Sequence, residues 1–221
     1  MARKRKKEIV KKDVQEIKEP VSREEEAKAQ NKILRNMLIG IGILMAGIFL
    51  FMTISNSLSR FEYRGVDFEI VRFCDAGPPC LVAYRTSIPV TVNDTAVPFN
   101  FYLRNDPRKL DVNFTGKIFF SDNMVLNSEA PFVCDGKGAI AAANLIQLYD
   151  VLGTKVIKDE NASCDLLGRY IFVQVKPGNK TSVRQFGPGC YNIDIKDCEI
   201  LEGTEKFMIE TFVKVNEGLK E

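Results

Sequence analysis

An uncharged apolar segment near the N-terminus constrains this chain more than any other feature. Residues Met37–Ile54 form a run of 18 residues without a charged side chain. One further residue at each end brings the run to the roughly 20 residues that cross about 30 Å of hydrocarbon. Its apolar side chains would surround a helix on all sides, which argues against an amphipathic helix at the membrane surface. The sequence predicts a transmembrane helix over residues 36–56, with a buried core helix as the alternative.

The charges that flank the apolar segment predict its orientation. Residues 1–35 contain 12 Lys+Arg and 7 Asp+Glu, which leaves 19 basic and 22 acidic residues for the rest of the chain. Because excess Lys and Arg stays on the cytoplasmic side, we expect residues 1–35 to be cytoplasmic and residues 57–221 to be extracytoplasmic. The long head before the segment, and the lack of a small-residue cleavage site after it, favour an uncleaved signal anchor over a cleaved signal peptide.

Two short patterns concern the helix that carries this segment. Ser22 and Glu25 fit a capping box, which predicts one helix that starts at about Arg23 and continues through the membrane. Gly42 and Ala46 form a small-xxx-small pair, which favours helix–helix packing and hence oligomerisation through the transmembrane helix.

The basic cluster Arg3–Lys7 is interpreted as an orientation signal that also contacts anionic lipid heads. No aromatic residue is interleaved with it, and no fold surrounds it that would present a groove to nucleic acid. The lipid bilayer is therefore the predicted partner of this segment, and nucleic acid is not.

All six cysteines follow the apolar segment, on the side predicted to be oxidising. They are Cys74, Cys80, Cys134, Cys164, Cys190 and Cys198. An even number of cysteines outside the cytoplasm predicts disulfides. The chain has no C-x-x-C pair and no His, which argues against zinc and thioredoxin-like sites. Among the many pairings that six cysteines allow, we predict the nearest-neighbour set, Cys74–Cys80, Cys134–Cys164 and Cys190–Cys198.

Four N-x-[ST] sequons lie in the same region, at Asn93, Asn113, Asn161 and Asn179. Such sequons are glycosylation acceptors in exposed loops of extracytoplasmic domains. Cysteines, sequons and charge bias all predict the same topology.

The outer segment is rich in alternating apolar and polar residues, the pattern of half-buried β-strands. Strands are predicted at Val66–Ile70, Val82–Val92, Val97–Leu103, Leu110–Phe114, Lys117–Ser121, Thr154–Lys158, Arg169–Val175, Thr181–Phe186 and Tyr191–Lys196. Pro89 lacks an N–H and is expected at a sheet edge or a bulge. The tail Lys206–Val215 also alternates, which predicts a further strand, with a helix as the alternative.

One helix is predicted among these strands. Asp135 is placed to cap a helix over Gly136–Leu152, and Gly153 is placed to end it. The apolar stripe of this helix consists of Ala141, Leu145, Leu148, Tyr149 and Leu152. We therefore predict an α+β outer domain, in which this helix packs on an antiparallel sheet, with a β-sandwich that carries one helix as the alternative.

The sequence contains no complete catalytic or metal-binding motif. The absence of His from the chain excludes mechanisms that use imidazole as a base or ligand. The segment Asp135–Ala139 lacks a full phosphate-binding loop, and Asp194–Glu199 lacks the spacing of a calcium loop. We predict no catalytic residue, cofactor or metal site. Because carboxylates are plentiful, a carboxylate-based enzyme that acts on envelope polymers is an alternative.

Three segments of the outer domain, YRGVDFEIVRF, YLRNDPRKLD and DCEILEGTEKFMIE, resemble segments of uncharacterised single-pass envelope proteins of archaea. This resemblance implies an archaeal cell surface and brings no known activity. A basic start, one apolar helix and a C-terminal Cys pair also resemble type IV pilin-like proteins, but the head here is longer and no Glu lies early in the helix.

We expect a membrane-anchored domain that binds a protein or an envelope polymer, or that organises the envelope. An ectoenzyme and an accessory subunit of a membrane complex are the alternatives.

Overall fold

The computed structural model describes residues 23–74, 77–92 and 94–219. The chain forms two compact units, with the boundary between Ile54 and Ser55.

Most of helix α1, which spans Arg23–Ser59, lies in the first unit. Its segment Gln30–Ser59 is long and apolar enough to cross a membrane; a signal sequence near an N-terminus would satisfy the same two criteria. Ser22, the predicted cap of this helix, lies outside the described residues.

The second unit begins with sheet A, which is antiparallel, as predicted. It consists of β1 (Arg60–Tyr63), β2 (Val66–Phe73), β3 (Leu81–Val92) and β4 (Thr95–Leu103), in chain order. Strand β3 lies inside the sheet, although Pro89 predicts an edge or a bulge. Because β2 pairs only with Leu81–Arg85, Pro89 pairs on one side alone, with β4. Since no described strand pairs with Pro89 on its other side, its missing N–H does not interrupt a second set of hydrogen bonds there.

Sheet B is mixed, so the prediction of an antiparallel sheet is wrong here. Its strands are β5 (Asn113–Thr115), β6 (Asn123–Ser128), β7 (Lys155–Lys158), β8 (Ile171–Pro177), β9 (Ser182–Gly187) and β10 (Cys190–Ile195), in the order β5-β9-β10-β8-β6-β7. Strands β7, β6, β8 and β10 are parallel, whereas β9 is antiparallel to β10 and parallel to β5. Helix α2 (Lys137–Val151) connects β6 to its parallel neighbour β7, a crossover that alternation within single strands cannot reveal.

Helix α2 matches the predicted helix except at its start. Gly136 occupies the N-cap position that the sequence predicts for Asp135, and Asp135 has a φ of 53°. The buried residues of α2 belong to the predicted stripe: Ala141, Leu145, Leu148 and Tyr149.

Helix α3 spans Ile200–Gly218, so the predicted strand at Lys206–Val215 is wrong and its helical alternative is confirmed. The helix contacts both sheets: Phe212 lies 5.3 Å from Phe101 of sheet A, and Phe207 lies 4.9 Å from Tyr191 of sheet B, between ring centroids. Helices α2 and α3 therefore share the core with both sheets, which distinguishes this α+β arrangement from the β-sandwich alternative.

The predicted strand Lys117–Ser121 is not formed, because a buried hydroxyl binds this part of the main chain. The hydroxyl of Tyr191 donates to the carbonyl oxygen of Lys117 over 2.6 Å and accepts from the N–H of Phe119 over 2.8 Å. The side chain of Gln185 accepts the N–H of Lys117. Side-chain partners thus replace a strand ladder.

All six cysteines form disulfides, but only one of the three predicted pairs is present. Cys74–Cys80 agrees with the prediction, whereas Cys134 is bonded to Cys198 and Cys164 to Cys190. The nearest-neighbour rule fails because residues distant in sequence begin adjacent elements. Cys190 begins β10 beside the start of β8, and Cys134 and Cys198 precede α2 and α3.

Candidate functional site

The carboxyl ends of three parallel strands of sheet B, together with the first turns of α2, form the candidate site. Strands β6, β7 and β8 end at Ser128, Lys158 and Pro177. Because these strands are parallel, their ends lie at the same edge of the sheet. This edge, next to the helix that follows a parallel strand, is where ligands bind in sheets of this type.

A cavity of about 540 Å³ opens at this edge, within the range of about 300–1,000 Å³ that is common for ligand pockets. Most of its wall is apolar. The lining residues are Leu126, Asn127, Ser128, Glu129, Ala130, Pro131, Phe132, Gly138, Ala141, Ala142, Leu145, Ile146, Val156, Lys158, Glu160, Val175, Ile200 and Thr204. Leu126 and Val156 pack against the core cluster that contains Ala141, Leu145 and Leu148 of α2, so both lie on the helix face of the sheet.

The segment that follows β6 borders the cavity and is held close to α2. The carbonyl oxygen of Phe132 occupies the position that a Cβ atom would take at Gly138, so only glycine fits there. The N–H of Glu129 donates to the carbonyl oxygen of Val175 over 3.0 Å. The hydroxyl of Ser128 donates to the carbonyl oxygen of Ala130 over 2.7 Å. These contacts fix the cavity wall before any ligand binds.

The charged lining residues Glu129, Lys158 and Glu160 are exposed. The polar groups deeper in the site are already used: the hydroxyl of Thr204 donates to the carbonyl oxygen of Ile200 over 2.7 Å. The amide of Asn127 donates to the carbonyl oxygen of Glu160 over 2.9 Å. Glu129, Lys158 and Glu160 form the mouth of the cavity. A ligand with an apolar group would therefore fit the wall, and a charged group next to it would fit the mouth.

Carboxylates also line a second cleft, of about 420 Å³. Glu199 and Glu202 belong to its lining, and Oε2 of Glu202 is buried without a hydrogen-bond donor among the described residues. Glu205 lies near them but does not line this cleft.

Glu205 is almost fully buried in α3. Its carboxylate accepts hydrogen bonds from the N–H groups of Arg104 and Asn105 and from the side-chain amide of Asn105. Burial raises the pKa of Glu205 to about 6, against these hydrogen bonds, which lower it. Because both carboxylate oxygens bind the chain at the end of β4, the arrangement points to a structural role for this residue.

The remaining predicted site residues are not among those that line the cavity. Asn113, Asn161 and Asn179 are exposed, and Asn93 lies outside the described residues. Gly42 and Ala46 are exposed on α1. Among the residues that the structure describes, no group of three or more Cys, Asp or Glu side chains could hold a metal ion.

The sequence does not predict the cavity, because β6, the strand at the centre of the cavity, is absent from the predicted strands. Met124–Leu126 is a short apolar run followed, after a short connection, by the helix predicted over Gly136–Leu152. Strands of a parallel sheet that are buried on both faces have such continuous apolar runs. An apolar run, a loop and a helix in succession is therefore the sequence pattern that predicts β6 and the cavity beside it.

Comparison of the chain with protein-family models, with curated proteins and with solved structures finds no match in any of the three.

Proposed function

We propose that this protein is a membrane-anchored, extracytoplasmic binding domain that holds an apolar group of its partner in the cavity beside α2. Helix α1 anchors the chain with its N-terminus in the cytoplasm, and residues 57–221 lie outside.

The anchoring part of the proposal rests on agreement between independent features. A helix long and apolar enough to cross a membrane precedes a unit in which all six cysteines are paired. Paired cysteines are typical of compartments outside the cytoplasm, and the basic head favours a cytoplasmic N-terminus. A secreted or membrane-anchored protein fits the first two features, and the lack of a small-residue cleavage site after the apolar segment favours the anchored form.

The binding part is carried by one observation, the open apolar cavity at the carboxyl ends of β6, β7 and β8. Its wall keeps apolar side chains such as Leu126 and Ile146 in contact with solvent, and covering this surface with an apolar group is favourable. The small side chains of Ala141 and Ala142 leave the space open. A partner that brings an apolar group and a charge would satisfy both the wall and the mouth.

A photo-reactive residue at the cavity tests the proposal. We would replace Ile146, which lines the cavity, with p-benzoylphenylalanine in the full chain and irradiate native membranes. We expect a crosslinked adduct that is lost when Ala142→Phe fills the cavity. Ala143→Phe is the matched control, because Ala143 is exposed on the same helix and does not line the cavity.

An adduct that forms equally in both Phe variants, or the lack of any adduct, would overturn the binding proposal. The mass of the adduct would also separate a lipid from a protein partner. The same photo-reactive residue at Gln147, which is exposed on α2 outside the cavity lining, reports adducts that form without the cavity.

A further inference from the structure

A turn before β8 displays two adjacent leucines to solvent. Leu166 and Leu167 are 76% and 79% exposed, more than any other large apolar side chain among the described residues of 60–221. Single exposed apolar residues are common on protein surfaces, but a pair at one tip forms an apolar projection that water solvates poorly.

This leucine turn, residues 163–170, is held in one conformation by its own contacts. The carboxylate of Asp165 accepts the N–H of Arg169 over 2.7 Å and the N–H of Leu167 over 3.3 Å, and it also pairs with the Arg169 guanidinium. The disulfide Cys164–Cys190 attaches the turn to β10. A projection that is already ordered loses little conformational entropy when it binds.

The leucine turn and the cavity lie at opposite ends of the same parallel strands. The turn precedes Ile171, the first residue of β8, and is bonded to Cys190, the first residue of β10. The cavity lies at the carboxyl end of β8, which at seven residues is about 20 Å long. One copy therefore cannot fill its own cavity with its own turn, but successive copies aligned along the strands could join turn to cavity.

Charge supports the same pairing. Arg169 pairs with Asp165, so the turn carries no net charge, but the group exposed beside the leucines is the guanidinium: 72% of the Arg169 side chain is exposed, against 7% of the Asp165 side chain. The cavity mouth carries Glu129 and Glu160 against Lys158, an excess of one negative charge. An arginine that follows an apolar pair fits a mouth with this excess, because rim charges guide register and association.

We propose that the partner in the cavity is a second copy of this chain, whose Leu166 and Leu167 enter it. This inference rests on the proposed binding function of the cavity and names its occupant. The contact is head-to-tail: each copy offers one turn and one cavity, so pairs extend into chains or close into rings. Assembly of this kind would organise copies side by side at the membrane.

Complementation between two defective variants tests this geometry. The double variant Leu166→Asp, Leu167→Asp removes the apolar surface of the turn and leaves the cavity open. Ala142→Phe fills the cavity and leaves the turn unchanged. We expect the wild-type full chain in detergent micelles to sediment as a concentration-dependent series of oligomers. Each variant alone should be monomeric, and the two variants mixed should form one-to-one dimers and nothing larger.

Leu219→Asp, a charge at another exposed leucine, and Ala143→Phe are the matched controls and should assemble as wild type does. Circular dichroism and disulfide mapping of each variant check that it is folded. A wild-type chain that stays monomeric up to its solubility limit, or variants that stay monomeric when mixed, would overturn the inference. Variants that each assemble as wild type does would overturn it as well, because association through α1 would give that result.

The photo-crosslinking experiment at Ile146 separates failure of this inference from failure of the proposed function. If Ala142→Phe removes the adduct but the Asp variants leave assembly unchanged, the cavity binds a different partner. If Ala142→Phe changes neither adduct nor assembly, both proposals are wrong.

Discussion

Cys134 is bonded to Cys198, so the turn that leads into α2 is joined covalently to the turn that leads into α3. Both helices contribute residues to the cavity, among them Ala141 from α2 and Thr204 from α3. The disulfide therefore ties together two sides of the candidate site as well as two elements of the core.

Replacement of Cys134 and Cys198 by Ser should destabilise the outer domain more than replacement of Cys74 and Cys80. The first disulfide closes 64 residues and the second closes 6, and the loop-entropy model assigns them about 4 and about 2 kcal/mol. Denaturant unfolding of the full chain in micelles measures both losses. Equal losses would contradict the expected order, and non-reducing peptide mapping checks the pairing itself.

Stability should fall as pH rises through the range in which Glu205 ionises. Its pKa is raised by burial from the ordinary 4.5 to about 6, so between these values the native state binds more protons than the unfolded state. The free energy of unfolding therefore decreases by about 2 kcal/mol from below the lower value to above the upper one.

Glu205→Gln should remove this pH dependence while it lowers stability overall, because the Gln amide replaces one acceptor of the Arg104 and Asn105 N–H groups. Denaturation midpoints at pH 4.5 to 7 measure the effect. Glu217→Gln, at an exposed position of α3, should retain the wild-type slope. A wild-type slope in Glu205→Gln would show that another group is responsible.

Gly138→Ala should disturb the cavity without a change in its apolar character. The added Cβ would overlap the carbonyl oxygen of Phe132, so the main chain at one of these two positions must move. Overpacking of this kind costs about 1–3 kcal/mol, and the yield of the Ile146 photo-adduct should fall. Gly218→Ala, where a Cβ meets nothing within 4 Å, should change neither quantity; equal behaviour of the two variants would refute the role of the Phe132–Gly138 contact.

Lysines on the two sides of α1 should react differently with a membrane-impermeant amine reagent. In intact cells we expect labelling of exposed lysines of the outer domain, such as Lys109 and Lys155, and none within residues 1–35 until the cells are lysed. The reverse pattern would invert the topology. Glycans on Asn113, Asn161 or Asn179 would be independent evidence for the same orientation.

The sequence predicts the elements with a simple period better than the elements buried on all sides. Helix α1 and most strands follow from apolar runs and alternation. Helix α3 does not, because Met208 and Phe212 are buried as completely as Phe207 and Ile209 on other faces. Because the first three turns of α3 have no exposed face, its apolar residues do not recur every 3.6 residues. The alternation of Phe207 and Ile209 with their neighbours instead resembles the pattern of a strand.

The cavity could not be predicted because it depends on which strands are neighbours. Leu126, Val156 and Val175 come together only through the parallel pairing of β6 with β7 and β8. Pairing of this kind is a long-range property, as are the disulfides Cys134–Cys198 and Cys164–Cys190. Local pattern predicts each element but carries no information about the order of strands in the sheet.

Footprinting of side chains in native membranes tests the central claim, that the cavity beside α2 is where this protein binds its partner. Ile146 in the cavity and Val97 on sheet A are 42% and 43% exposed, so a carbene reagent should label both in the purified, dilute chain. In native membranes we expect labelling of Ile146 to fall severalfold while labelling of Val97 is unchanged. Equal labelling of Ile146 in the two preparations would contradict the account.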